Sequence, residues 1–204
     1  EAAALEAVGR LDTVIFDKTG TLTRGEPQVT NIVPAEKAGE QEVLRLAAAV
    51  EARSEHPIGE AIIRAAQGRG IGVPEVKDFK AISGRGVSGR VEGEGIIVGS
   101  PRLLQEHDID IAAAAQTIAE LENEGKTVVM LAARGALMGT IAVADTIKEG
   151  AREALAQLQE AGLNTALITG DNQRTGEAIA RQVGIDRVMA EVMPDEKAAE
   201  VMRL

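Results

Sequence analysis

The sequence predicts an α/β protein, a parallel sheet covered by helices and interrupted by an inserted α+β domain. Three observations carry that expectation. After Asp145 the chain alternates a helical pattern over 148–161, the strand-like NTALIT of 164–169 and a second helical pattern over 173–183. Such alternation is the signature of parallel strands joined by crossover helices. LDTVIFD at 11–17 is a short apolar run that suits a buried strand of the same sheet. Residues 79–99, by contrast, are rich in Gly with short apolar segments, and read as hairpin-like antiparallel strands. The parts divide as 1–30 and 141–204 for the parallel-sheet domain and 31–140 for the insertion.

The remaining elements follow in order. KTGTLTRGEP after Asp17 reads as a loop. Val43, Leu46, Ala47 and Val50 recur at helical spacing, and Pro57 opens a second helix with Ile58, Ala61, Ile62 and Ala65 on one face. A helix over 111–124 stops at Gly125. TVVMLAA (127–133) and LMGTIAVAD (137–145), joined at Arg134-Gly135, read as a hairpin. Gly162 and Gly184 end the two later helices, and a short apolar VMAEV precedes a last helix from Asp195.

Composition narrows the function. Among 204 residues there are two Phe, no Tyr and no Trp, so the core must be aliphatic and base-stacking on single-stranded nucleic acid is disfavoured. A net charge of −10 disfavours polyanionic partners, nucleic acid included. Without cysteine there is neither a disulfide nor a thiolate metal site. No apolar run reaches the ~18–20 residues of a membrane span, so no membrane insertion by this chain is expected. The chain starts and stops inside helical patterns and reads as a piece of something longer.

The strongest chemical signal is DKTGTLT at 17–23. Asp17 directly follows a predicted strand, and ligands of parallel α/β sheets sit at the carboxyl ends of strands. A carboxylate there can attack phosphorus to form an acyl phosphate, and the Thr-Gly-Thr turn offers N–H groups and hydroxyls to phosphate oxygens. TGDN at 169–172 again follows a strand and opens a helix, so Thr169 and the helix N–H groups can bind phosphate. MPDEKAAEV at 193–201 carries Lys197. In this order the three segments resemble the P-type ATPases, within the haloacid dehalogenase-like superfamily. The resemblance implies that fold for the parallel-sheet domain. It also implies ATP and Mg2+ as cofactors, Asp17 as the phosphorylated nucleophile and Lys18 and Thr19 as its loop. Asp17 and the Thr19 carbonyl would be metal ligands, Thr169, Gly170 and Asp171 the second phosphate-binding element, and Lys197 the charge neutraliser. Asp145, Thr146 and Lys148 match the family's return into the phosphorylation domain.

SEHP at 54–57 marks the heavy-metal class of that family, and no Lys-Gly-Ala nucleotide motif appears. A neutral His can stack on or hydrogen-bond to adenine, and a carboxylate can accept from its amino group. By resemblance Glu51, His56, Gly84, Gly86, Gly99 and Ser100 form the ATP pocket of an inserted nucleotide-binding domain; Ser100 stands where many members have Asn. His107 reads as a surface or cap residue. The resemblance further implies a cytoplasmic portion of an integral membrane pump for a transition-metal ion, copper first. Its partners would be the transmembrane and actuator domains of the same polypeptide.

Three other readings stand beside it. A free haloacid dehalogenase-like phosphatase usually has a second Asp two positions after the nucleophile; here that position is Thr19, so acyl-phosphate hydrolysis should be slow. The chain could bind nucleotide without turnover, or belong to a pump for zinc- or cadmium-type ions. The family's magnesium site also uses a Gly-Asp-Gly-x-Asn-Asp element after Lys197, which this sequence does not contain, so the chain alone is expected to bind ATP without useful turnover. Crossings near 24–34 and 139–145 are expected to act as a hinge.

Overall fold

The computed structural model describes residues 11–36, 38–193 and 196–202. They form two compact units. The first comprises the chain up to Gly25, Asn123–Gly125 and Thr146 onward; the second comprises Glu26–Glu122 and Lys126–Asp145.

The first unit is the α/β one. Strand β1 (Thr13–Asp17) pairs in parallel with β8 (Asn164–Ile168), which pairs in parallel with β9 (Arg187–Met189). Helix α5 (Ala151–Glu160) leads into β8, and α6 (Gln173–Val183) connects β8 to β9. Leu155, Leu167, Ile179, Ala180, Val183 and Ile185 close an aliphatic core with Leu22. Helix α6 is bounded at both ends as its sequence demands. The Asn172 side chain accepts from the Thr175 N–H at 2.9 Å, and Gly184, at φ +85°, stops it. The last described helix, α7, is Lys197–Val201; Asp195, its expected start, lies outside the described residues.

The second unit is one antiparallel sheet in the order β2-β7-β6-β5-β4-β3. Its strands are β2 (Gln28–Pro34), β3 (Val76–Ile82), β4 (Gly86–Val91), β5 (Glu94–Gly99), β6 (Thr127–Ala133) and β7 (Ala136–Ala144). The two-residue side-chain period sorts β6 onto two faces. Val129 and Leu131 pack with helices α1 (Glu40–Glu51) and α2 (Pro57–Gly68). Val128 and Met130 pack with Leu104, Ile118 and Leu121, from α3 (Pro101–Glu106) and α4 (Ala115–Asn123). Edge strand β3 is broken by a bulge between Lys77 and Lys80, with Asp78 at φ +51°.

The structure departs from the sequence reading in four places. Lys18–Leu22 is one wide turn, closed by Thr23 N–H to the Lys18 carbonyl at 3.1 Å, with Thr19 and Gly20 off helical angles. Residues 28–34 are a strand laddered to β7, so that part of the expected hinge is fixed by backbone hydrogen bonds. Helix α5 starts at Ala151 rather than 148, because Gly150 takes a left-handed φ of +81°. Helix α3 was not anticipated, although Ser100-Pro101 is an N-terminal signal: the Ser100 hydroxyl accepts from the Leu103 N–H at 3.3 Å.

Candidate functional site

Asp17 is the last residue of β1 and lies in register with Ile168, the last residue of β8. The segments that follow the two strands, Lys18–Leu22 and Thr169–Asn172, therefore emerge side by side at the carboxyl edge of the sheet. Lys197 Nζ donates to Asp17 Oδ1 at 2.7 Å, with both side chains partly exposed. Lys18 forms an ion pair with Asp171, and there both side chains are largely buried. Asp171 Oδ2 also accepts from the Thr169 hydroxyl at 2.9 Å, while the Asp171 N–H donates back to that hydroxyl at 3.1 Å. Gly170 is exposed at the head of this turn. All seven residues expected to act on phosphate are thus joined by hydrogen bonds, strand register or chain adjacency. Thr19 is exposed one residue further along the turn.

This end of the sheet can hold an anion and present a carboxylate to it. Two lysines, the hydroxyl of Thr169 and the N-terminus of an eleven-residue helix surround Asp17 and its turn. Aligned helix N–H groups favour negative charge at that terminus. The oxygen donors expected for a divalent cation are the Asp17 carboxylate and the Thr19 carbonyl, on the turn that follows β1. Hard oxygens suit magnesium, which keeps several waters. No cluster of three or more His, Cys, Asp or Glu is found among the described residues.

The residues expected to meet the nucleotide all lie in the second unit. Glu51 ends α1 and is 5% exposed, and its Oε2 has no hydrogen-bond partner among the described residues. Burial pushes the carboxyl up to about 6, against a hydrogen bond with Ser54 that draws it down. The oxygen lies so close to Gly59 that a Cβ there would stand 2.5 Å from it. His56 is exposed and caps α2, its Nδ1 accepting from the Ile58 N–H at 3.2 Å. That contact places the neutral ring's proton on Nε2. Gly86 and Gly99 face each other in the β4–β5 register. A Cβ on Gly86 would lie 2.2 Å from the Val98 carbonyl oxygen, and one on Gly99 would lie 2.4 Å from that of Arg85. Both glycines are therefore required by backbone approach within the fold. Gly84, at φ +66°, turns the chain between β3 and β4. The Ser100 hydroxyl serves as a helix cap, and His107 ends the same helix with Nδ1 2.9 Å from the Leu103 carbonyl.

Glu51 gives a pH prediction with a definite sign. Its folded pKa lies above the ordinary 4.5, so the fold prefers the protonated form. That stability is fully present below pH 4.5 and is lost as pH rises through 6. The difference is about 2 kcal/mol for a shift of this size. Glu51→Gln keeps the shape and removes the titration. Chemical denaturation should show the variant gaining on the unsubstituted protein by about 2 kcal/mol between about pH 3.5 and about pH 7. A pH-independent gap would contradict the burial argument.

The sequence pattern of the haloacid dehalogenase-like hydrolases matches residues 11–204. The chain belongs to this family. Within the haloacid dehalogenase-like hydrolases its relatives carry transporter names. The copper-exporting P-type ATPase of Bacillus subtilis (strain 168) is 44% identical over 200 residues, 98% of this chain and 25% of that protein. The silver exporting P-type ATPase of Salmonella typhimurium is 45% identical over 203 residues, 100% of this chain and 25% of that protein. The chain thus spans about a quarter of the length of these curated relatives. Among solved structures, the catalytic domain of the CPx-ATPase CopB-B is 27% identical with a TM-score of 0.74, over 100% of this chain and 70% of that one.

Two contacts, one in each unit, escaped sequence reasoning, although Lys148 itself is named there for the return into the phosphorylation domain. Gly59 is needed to leave room for Glu51, and its only signal is a Gly in the first turn of α2. Lys148 donates from Nζ to the Gly20 carbonyl at 2.5 Å. A lysine 128 residues from its acceptor has no local pattern to betray it.

Proposed function

We propose that this chain is the catalytic portion of a heavy-metal P-type ATPase that takes the γ-phosphoryl group of ATP onto Asp17. The single observation that carries the reading is the Asp17 carboxylate at the end of β1, held at 2.7 Å by Lys197, with Thr19 rather than an acid two residues later. An Asp17 carboxylate oxygen attacks the γ-phosphorus. The new bond is Oδ–P, the bond broken joins that phosphorus to the β–γ bridging oxygen, and ADP leaves with the electron pair. Lys197 offsets the charge of the carboxylate and of the incoming phosphoryl oxygens. Asp171 keeps Lys18 at the edge of the turn and accepts from the Thr169 hydroxyl, and the backbone N–H groups at the N-terminus of α6 offer donors on the β8 side. A magnesium ion held by Asp17 and the Thr19 carbonyl would add neutralisation of phosphoryl charge when bound. With no acid at position 19 to activate water, the acyl phosphate persists, as a transport cycle requires and a phosphatase does not.

Adenine is read, in this proposal, in the second unit. The Oε2 of Glu51 is a buried acceptor without a donor, which an exocyclic amino group can supply. That oxygen is shut beneath Gly59, so contact calls for the Ser54–Pro57 turn to yield. His56, exposed at the head of α2, offers a ring face. The metal class follows from relatives named for copper and silver export, with copper first. No described helix is long and apolar enough to cross a membrane; the transmembrane and actuator domains would belong to the same polypeptide, with this portion on the cytoplasmic side.

Titration calorimetry of ATP into this chain tests the nucleotide half. His56→Ala should weaken binding several-fold, since one hydrogen bond or stack contributes ~1 kcal/mol. Equal affinity in His56→Ala, Glu51→Gln and the unsubstituted protein would remove both residues from the pocket.

A further inference from the structure

We propose that Lys148 is a positioning residue for the phosphoryl-accepting turn, acting through the carbonyl of Gly20. The inference rests on the reading of Asp17 as the residue that is phosphorylated. Its Nζ donates to the Gly20 oxygen at 2.5 Å, and its backbone is placed independently of that contact. Residues 22–24 and 146–148 run antiparallel, with Thr23 bridged to Ile147. The Lys148 N–H donates to the Leu22 carbonyl at 2.8 Å, and the Arg24 N–H to the Thr146 carbonyl at 2.9 Å. Ile147 packs against the core of this unit. The ammonium therefore reaches the turn from a fixed base.

The turn needs such a hold. Gly20 sits at φ +78°, and nothing among the described residues beyond its chain neighbours lies within 4 Å of where its Cβ would be, so side-chain packing does not set its conformation. Glycine visits alternative backbone states at little cost, and the easiest of these turns over the peptide unit between Gly20 and Thr21. The peptide is planar and trans, so its carbonyl and the next N–H point in opposite directions. Anchoring the Gly20 oxygen on Lys148 thus aims the Thr21 N–H away from Lys148. The other end of the turn is tied down by Lys18 on Asp171 and by Thr23, whose N–H and hydroxyl both donate to the Lys18 carbonyl at 3.1 Å. An N–H fixed beforehand stabilises phosphoryl charge without reorganising during the reaction. Lys148 touches no reacting atom in this account; it selects the orientation of one that would.

The test has two arms. In the full-length polypeptide, Lys148→Met should slow formation of acid-stable phosphoenzyme from radiolabelled ATP roughly tenfold, the effect expected for one charge-assisted hydrogen bond. The half-saturating ATP concentration should not move, and Lys148→Arg should restore most of the rate. In this chain, amide exchange at Thr21 should quicken in Lys148→Met and not in Lys148→Arg. An undiminished labelling rate in Lys148→Met, or unaltered Thr21 exchange, overturns the inference while leaving the functional reading intact. Equal slowing in both variants, accompanied by a lower melting temperature, makes the residue structural and overturns it too. No label in the unsubstituted polypeptide overturns the functional reading and this inference with it.

Discussion

Asp17→Asn is expected to leave no acid-stable, hydroxylamine-labile phosphoenzyme at any ATP concentration in the full-length polypeptide. The amide is nearly isosteric with the carboxylate but cannot act as a nucleophile toward phosphorus, so the loss should be complete rather than graded. It should also be clean. The Asp17–Lys197 pair is partly exposed on both sides, and such pairs contribute little to stability. The melting temperature of the variant should therefore stay near that of the unsubstituted protein, and ATP binding, proposed for the other unit, should persist. Label remaining in Asp17→Asn would move the phosphorylated residue elsewhere and remove the basis of the proposed function.

The second large effect concerns stability. Gly86→Ala should destabilise the antiparallel-sheet unit by about 3 kcal/mol or more, a melting drop of roughly 10 °C. The new methyl would meet the Val98 carbonyl oxygen at 2.2 Å, the Gly99 Cα at 2.6 Å and Leu103 at 2.9 Å. Two of those three atoms are backbone, and Gly86 also occupies φ +153°, where a Cβ is strained. Calorimetric scanning decides it, and a variant melting within a degree or two of the parent would show that β4 and β5 separate more easily than their contacts indicate. The result bears on how ligand binding is read. Weakened nucleotide binding in Gly86→Ala, taken alone, would report a damaged sheet and not a lost ligand contact, which is why His56 and Glu51 are the better probes.

Much of the fold was legible because its signals are local. Short apolar runs and a Gly-rich hairpin signature located β1, the region of β3 to β5, β6, β7 and β8, and Gly125, Gly162 and Gly184 marked helix ends that the structure retains. Strand β2 was missed because QVTNIVP follows a Pro-Gly-rich stretch and pairs with a partner more than a hundred residues away. Helix α3 was missed because six residues are too few for a periodic pattern. The phosphate-side motifs announced Asp17, Lys18, Thr169, Asp171 and Lys197 as a group, and the structure gathers these five at one sheet end. Their pairing was not legible. Nothing in the string says that Lys197 takes Asp17 while Lys18 takes Asp171, since that depends on where α7 and the β8–α6 turn stand around the strand. The nucleotide motifs were harder still. Gly86 and Gly99 meet a packing requirement of their own, and a sequence cannot separate a glycine kept for a ligand from one kept for a neighbouring carbonyl.

The ladder between β2 and β7 has a bearing on how the chain comes together. Gln28 stands opposite Ala144, and the Glu26 N–H donates to Asp145 Oδ1 at 3.2 Å, so the antiparallel-sheet unit begins and ends at neighbouring points. To set β1 beside β8, an unfolded chain must bring together segments separated by residues 26–145, and closing a loop of roughly 120 residues is entropically unfavourable. Once the inserted unit has folded, the same closure spans only residues 18–25 and 146–163, about 26 residues. The logarithmic dependence on loop length makes the difference about 1.5 kcal/mol. A domain placed inside another, entering and leaving through adjacent strands, thus shortens the effective chain between the two halves of its host.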